Sequence, residues 1–203
     1  FRPEKPLAPD GRHARQSSSG RLLGTDVLTV RKTFCEFFAG IGLVHEALRA
    51  TGWKLLYAND IDAKKRAMHA GHFGNDPRYH EGDVWKTSEV VARIEQAPLL
   101  ATASFPCTDM SLAGKRQGFE GAESGAFFGF LRVVEQLAER RPRILLLENV
   151  TGFLTAREGN DFAAAVERLA RLDYLLDAFV LDARYFVPQS RPRLFLAAYH
   201  ASL

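Results

Sequence analysis

The feature that most restricts how this chain folds is an alternation that begins at residue 33: short apolar runs, each followed by residues at helical spacing. The runs are "TFCEFF" (33–38), "KLLYAN" (54–59), a short one around Tyr79 and His80, "LLATASF" (99–105), "RILLLE" (143–148), "LLDAFVL" (175–181) and "RLFLAAY" (193–199). Between them, Leu43, Val44, Ala47 and Leu48 recur at helical spacing before Gly52, and Phe127, Leu131, Val134 and Ala138 do so before Pro142. A third set is Phe162, Val166 and Leu169, with Asn160 or Asp161 as the expected cap. Strand, helix, strand order calls for an α/β fold, a parallel sheet of seven strands covered by helices on both faces. Ligands of such sheets bind beyond the carboxyl ends of the strands, near the point where strand order reverses.

Charge separates the chain into two parts. Residues 1–32 hold seven Lys or Arg against three Asp or Glu, net +4, while residues 33–203 hold 20 against 21. The first part is rich in Pro, Gly, Ser and Arg and lacks apolar periodicity, so it reads as a flexible basic arm able to meet phosphate. Residues 33–203 read as one packed domain, and a first residue of Phe1 rather than Met reads as an excerpt of something longer. Cys35 and Cys107 are the only cysteines, without a Cys-x-x-Cys pair, which argues against a disulfide framework or a thiolate zinc site and for a reducing compartment. No run approaches the ~20 apolar residues of a membrane helix, and no signal core opens the chain, so a cytoplasmic protein is expected.

The chemistry-bearing residues fall just after the strands. "FFAGIG" (37–42) opens a helix, with Gly40 and Gly42 permitting a tight turn and free amides at the helix start. The third glycine of a dinucleotide fingerprint would fall at position 45, which is His45, so a different nucleoside cofactor is favoured. "NDID" ends the second strand and offers Asp60 to ribose hydroxyls; "GDV" after the third offers Asp83 to an adenine amino group. Each has a bland alternative, since glycines also shape turns and Asp also caps helices. Cys107 leaves the fourth strand at "FPC", an accessible place for a nucleophile, whereas Cys35 within "TFCEFF" reads as buried. Glu148 and Asn149 of "ENV" end the fifth strand, where a partly desolvated glutamate can hold a proton to donate. Arg191 and Arg193 of "QSRPR" can hold a carbonyl oxygen.

In order, "FFAGIG", "NDID", "GDV", "FPCTDMSLAGKRQGF", "ENV" and "QSRPR" resemble the catalytic core of the cytosine 5-methyltransferases, over about Phe34 to Tyr199. That resemblance implies a Rossmann-like class I methyltransferase fold with a seven-stranded, mostly parallel sheet, double-stranded DNA as substrate and S-adenosyl-L-methionine as methyl donor. It implies Cys107 as nucleophile, Glu148 on the cytosine ring nitrogen, and Arg191 and Arg193 on its carbonyl oxygen. It implies cofactor contacts from Phe38, Gly40, Gly42, Asp60, Ile61, Asp83, Val84 and Pro106, with Gly125 and Phe127 of "GAFF" as lesser candidates.

The sequence also departs from that family. Leu43 replaces a common third glycine, and Thr108 and Met110 replace the commoner glutamine and phenylalanine of the cysteine loop. The family's target-recognition domain and final cofactor motif are not found before Leu203, so a split or truncated enzyme, with recognition on a second chain, is expected. The same chemistry on RNA or a free cytosine nucleotide, and a silent scaffold role, remain alternatives. His69, His72 and His80 are expected in a polar loop after a helix, not at a metal. Trp53 and Trp85 read as packing residues, and "AERRPR" (138–143) as a cationic helix end.

Overall fold

The computed structural model describes residues 31–106 and 125–202. Seven strands form one sheet: β1 (Thr33–Phe37), β2 (Lys54–Asp60), β3 (Tyr79–Glu81), β4 (Leu100–Ala103), β5 (Ile144–Val150), β6 (Tyr174–Asp182) and β7 (Pro192–His200). Their order is β3-β2-β1-β4-β5-β7-β6, with β7 antiparallel to both of its neighbours and the other pairings parallel. All seven expected strands are present, in the mostly parallel arrangement anticipated. The order reverses between β1 and β4, which puts the switch point where the "FFAGIG" turn leaves β1.

Alternation along the strands divides the interior into two cores. Cys35, Phe37, Ala101, Ala103, Leu145 and Leu147 point to one face, where Val90 of α3 (Thr87–Arg93), Phe130 and Val134 of α4 (Ala126–Gln136) and Leu169 of α5 (Asn160–Arg171) bury them. Phe34, Leu55 and Leu100 belong to the other face, under Leu48 of α1 (Leu43–Arg49) and with Tyr79 and Trp53. Among the described residues no helix is long and apolar enough to cross a membrane.

Several local expectations need correction. Neither α2 (Ala63–Phe73) nor α3 was placed by apolar periodicity; Asp62 caps α2, its carboxylate accepting from the Lys64 N–H at 2.8 Å. His69 and His72 lie within α2 rather than in a loop, and His80 lies on β3. His69 is buried between His45, Phe73 and Tyr79, with ring centroids 4.5 Å from Phe73 and 4.2 Å from Tyr79. The cap of α5 is Gly159, in left-handed conformation, while Asp161 sits in the first turn and accepts from Arg157 Nε at 2.6 Å. "AERRPR" does not form the end of α4, which stops at Gln136 with no cation in its last turn; Ala138–Arg140 make a separate 3-10 turn, from which Arg140 donates to the carbonyls of Val91 and Ile94 at the end of α3. Cys35 is buried as expected, and burial pushes its thiol far up. Trp53 and Trp85 both pack on the cores.

Candidate active site

Between the carboxyl ends of β1, β4 and β5 and the β6–β7 connection lies a cavity of about 750 Å3. Phe38 and Gly40 reach it from the turn after β1, Glu148 from β5, and Arg191 and Arg193 from around the start of β7. Five residues read from three separate motifs thus line one space. Arg193 and Glu148 do so as an ion pair, Nε donating to Oε1 at 2.9 Å, with both side chains about three-quarters or more covered. Register explains the meeting: Arg193 pairs with Val150 and Phe195 with Glu148 across β5 and β7, so the two side chains are diagonal neighbours on one face.

Arg191 is placed by its backbone. Its N–H donates to Asp182 Oδ1 at 2.8 Å, and the same carboxylate accepts from the Arg184 N–H at 3.1 Å, Arg184 Nε at 2.6 Å and Ser190 Oγ at 3.3 Å. These donors, the Arg184 N–H foremost, hold the Asp182 carboxyl down at about 2. Sequence reasoning missed Asp182, although an Asp at the end of a strand, nine residues before an arginine it anchors, is a loop-closing signal.

Asn149 works in the opposite direction along the rim. Buried, it accepts from the Val150 N–H at 2.8 Å and donates through Nδ2 to the Phe105 carbonyl at 3.2 Å, two residues before Cys107. Cys107 itself lies outside the described residues. Pro106 is exposed and does not line the cavity.

The turn after β1 is held from β2 and β3. Asp60 is buried; Oδ2 accepts from the Gly40 N–H at 2.9 Å and lies 3.5 Å from Lys65 Nζ, and Oδ1 accepts from the Asp62 N–H at 3.0 Å. Tyr79 Oη donates to the Gly40 carbonyl at 2.8 Å. Phe38 at φ 56° is held in the left-handed region, unusual for a bulky residue. Gly42 is required by packing, because a Cβ there would stand 2.7 Å from both His69 and Phe73.

Other sequence candidates do not line this cavity. Ile61 is exposed beyond β2, and Val84 is buried in the first core. Asp83 accepts from the Trp85 N–H at 2.9 Å and lines a separate polar recess of about 80 Å3 with His80 and Lys86. Gly125 precedes α4, and Phe127 packs against Phe105, with ring centroids 4.7 Å apart. Two residues at the cavity floor went unread: Glu36 on β1 and Thr102 on β4, both buried polar positions within apolar strands. Burial pushes the Glu36 carboxyl up to about 8, the backbone N–H groups of His45 and Val44 offsetting part of that cost.

Comparison with known proteins agrees with this arrangement. Residues 32–203 match the family described as C-5 cytosine-specific DNA methylase. The type II methyltransferase M.HhaI of Haemophilus parahaemolyticus is 32% identical over 171 residues, covering 84% of this chain and 50% of that protein. The type II methyltransferase M.BsuFI of Bacillus subtilis is 33% identical over 175 residues, covering 86% of this chain and 41% of that protein. The chain therefore spans half or less of the length of these relatives. In fold it is similar to the Dnmt2 methyltransferase of S. pombe, with a TM-score of 0.65 at 23% identity over 84% of this chain and 50% of that one. With the match running through the whole sheet and its rim, the chain belongs to the C-5 cytosine-specific DNA methylase family.

Proposed function

We propose that this chain is the catalytic part of an enzyme that transfers a methyl group from S-adenosyl-L-methionine to carbon 5 of cytosine in double-stranded DNA, through a covalent adduct with Cys107. In this reading residues 33–203 are the catalytic domain, residues 1–32 a basic arm, and target recognition comes from further polypeptide, in the same chain or a second one. The observation that carries it is the Glu148–Arg193 pair inside the cavity that also receives the Phe38–Gly40 turn.

The cavity suits the donor: about 750 Å3, largely apolar walls including Phe38, Leu43 and Val44, and polar oxygens of Glu36 and Thr102 on its floor. When bound, the donor supplies a methyl group activated by a sulfonium. Cys107 thiolate adds to carbon 6 of the base and makes carbon 5 an enamine carbon, nucleophilic enough to take that methyl group. Glu148 engages the ring nitrogen, where charge builds during addition. Since Arg193 engages Oε1 of Glu148, Oε2 is the oxygen left for the base. Arg191 and Arg193 hold the carbonyl oxygen and fix the attack geometry. A base acting through water then takes the carbon 5 proton, the electron pair of that C–H bond reforms the carbon 5–carbon 6 double bond, and Cys107 leaves as thiolate. Access to a stacked cytosine requires flipping it out at a cost of a few kcal/mol, which DNA contacts must offset.

The test is covalent trapping. Duplexes of mixed sequence carrying 5-fluorocytosine, incubated with the chain and S-adenosyl-L-methionine, give a denaturation-resistant adduct; Cys107→Ser gives none, and Glu148→Gln slows its formation by about 100-fold or more. Absence of any adduct from the unaltered chain joined by its target-recognition polypeptide, with donor bound, would overturn the reading.

A further inference from the structure

The connection from β6 to β7 is a loop tied to itself at several points. At its foot the Asp182 carboxylate accepts from the Arg184 and Arg191 N–H groups, from Arg184 Nε and from Ser190 Oγ, and the Ala183 N–H donates to the Arg191 carbonyl at 3.3 Å. Further out, the Phe186 and Val187 N–H groups both donate to the Ala183 carbonyl at 2.9 Å, and the Gln189 N–H to the Val187 carbonyl at 2.7 Å. A backbone held in this way has little ordering left to lose when a partner arrives. Its tip nevertheless presents Tyr185 and Phe186, 75% and 72% exposed, beside a half-exposed Val187. Phe186 also lines the cavity with Arg191 and Arg193, so it stands at the cavity mouth. Two adjacent rings fixed in water mark a contact surface. Its charge favours a polyanion: residues 183–191 hold Arg184 and Arg191 and no Asp or Glu, and the Asp182 carboxylate is taken up by the loop's own donors. Polypeptide seated on Phe186 would block the way by which a base reaches Arg191 and Arg193, whereas a DNA strand delivering that base must run past it.

We infer that Tyr185 and Phe186 are a stacking platform for bases of the DNA strand beside the extruded cytosine. This rests on the reading in which the cavity takes a flipped cytosine. Extrusion leaves the neighbouring bases with an uncovered face, and that lost stacking is part of its cost. An aromatic side chain laid on such a face recovers about 5- to 100-fold in binding for each base it covers. Every base has a π face, so the contact is tolerant of sequence and serves whatever site the recognition polypeptide selects. The hydrogen bonds of Asp182 hold the two rings at the mouth in advance, while the same carboxylate fixes the Arg191 backbone.

Fluorescence anisotropy at low salt compares a mixed-sequence single strand of about 12 nucleotides with an abasic strand of the same length, equal in charge and lacking bases. The unaltered chain is expected to prefer the strand with bases. Tyr185→Ala and Phe186→Ala each weaken binding of that strand by about 5- to 100-fold. Both leave binding of the abasic strand and the salt slope unchanged, since no phosphate contact is lost. Phe186→Trp, which keeps an aromatic face, keeps the affinity. An unaltered chain with no preference for the strand with bases overturns the inference, as does equal binding of that strand by the alanine variants. An equal loss on the abasic strand also overturns it, assigning the effect to backbone contacts or to folding. Disappearance of the preference once the target-recognition polypeptide is joined to the chain overturns it too, making the aromatic tip a face for protein. In each of these cases the 5-fluorocytosine adduct of Cys107 still forms and the proposed function stands; failure of that adduct, read separately, is what removes the function.

Discussion

At Gly42 two physical demands coincide. Its φ of 86° lies in the left-handed region, and any Cβ would meet the rings of His69 and Phe73 at 2.7 Å, well inside contact distance. Gly42→Ala therefore combines backbone strain with overpacking against two rings that are themselves buried or stacked, and about 3 kcal/mol of stability should be lost. In a thermal scan that corresponds to a fall in Tm of roughly 6–12 °C for a domain of this size; a change of less than ~2 °C would show that α2 moves aside freely. From sequence Gly42 read as a glycine that lets a ligand approach. The residue type was legible and its packing role was not, because nothing in the sequence placed His69 and Phe73 against it. Glu148, Arg191 and Arg193 were legible because each is a charged residue ending or flanking an apolar run. Glu36 was not, since one acidic position inside "TFCEFF" gives no sign of which face it takes.

Helix α2 shows why some elements escape sequence reading. "AKKRAMHAGHF" has no apolar stripe; it buries instead a histidine, His69, against Phe73 of its own last turn, Tyr79 of β3 and His45 of α1. Aromatic stacking replaces the aliphatic contacts on which periodicity arguments rely. That choice carries a pH dependence. Burial lowers the values of both His45 and His69; Asp76 and Glu46 oppose this at His45 where Arg78 and Arg49 add to it, and Arg66 and His72 add to it at His69. The unfolded chain thus takes up protons near pH 6.5 while the folded one resists them. Stability from this packing is complete above about pH 6.5 and declines as pH falls toward the lowered folded values. Tm should drop between pH 7.5 and 5.5, and His69→Phe, which keeps the stack without the titrating group, should lessen that drop. Equal drops in both proteins would assign the acid sensitivity to other groups.

On the scale of the whole molecule, alternation of runs and periodic segments was enough to read seven strands and a sheet covered on two sides. The spatial order of strands, with β7 antiparallel between β5 and β6, was beyond it, because pairing is decided by crossover geometry rather than by any one segment. That order makes each central strand contribute to both cores in turn: Phe34 and Leu146 on one side, Cys35 and Leu147 on the other. The cavity opens on the side of Phe34 and Leu146, yet its walls are extensions of strands that also carry the opposite core. The two layers should consequently unfold together. Trp53 packs on the core under α1, and Trp85 on the other, beneath the guanidinium of Arg132 at 5.3 Å, so each reports one layer. Trp85→Phe and Trp53→Phe variants leave one reporter each, and their fluorescence transitions in urea should coincide. S-adenosyl-L-homocysteine at 100 times its Kd should stabilise both by the same ~2.7 kcal/mol. A Trp53 transition that comes first, or alone responds to the ligand, would show instead that α1 and α2 form a separately melting layer over the cavity.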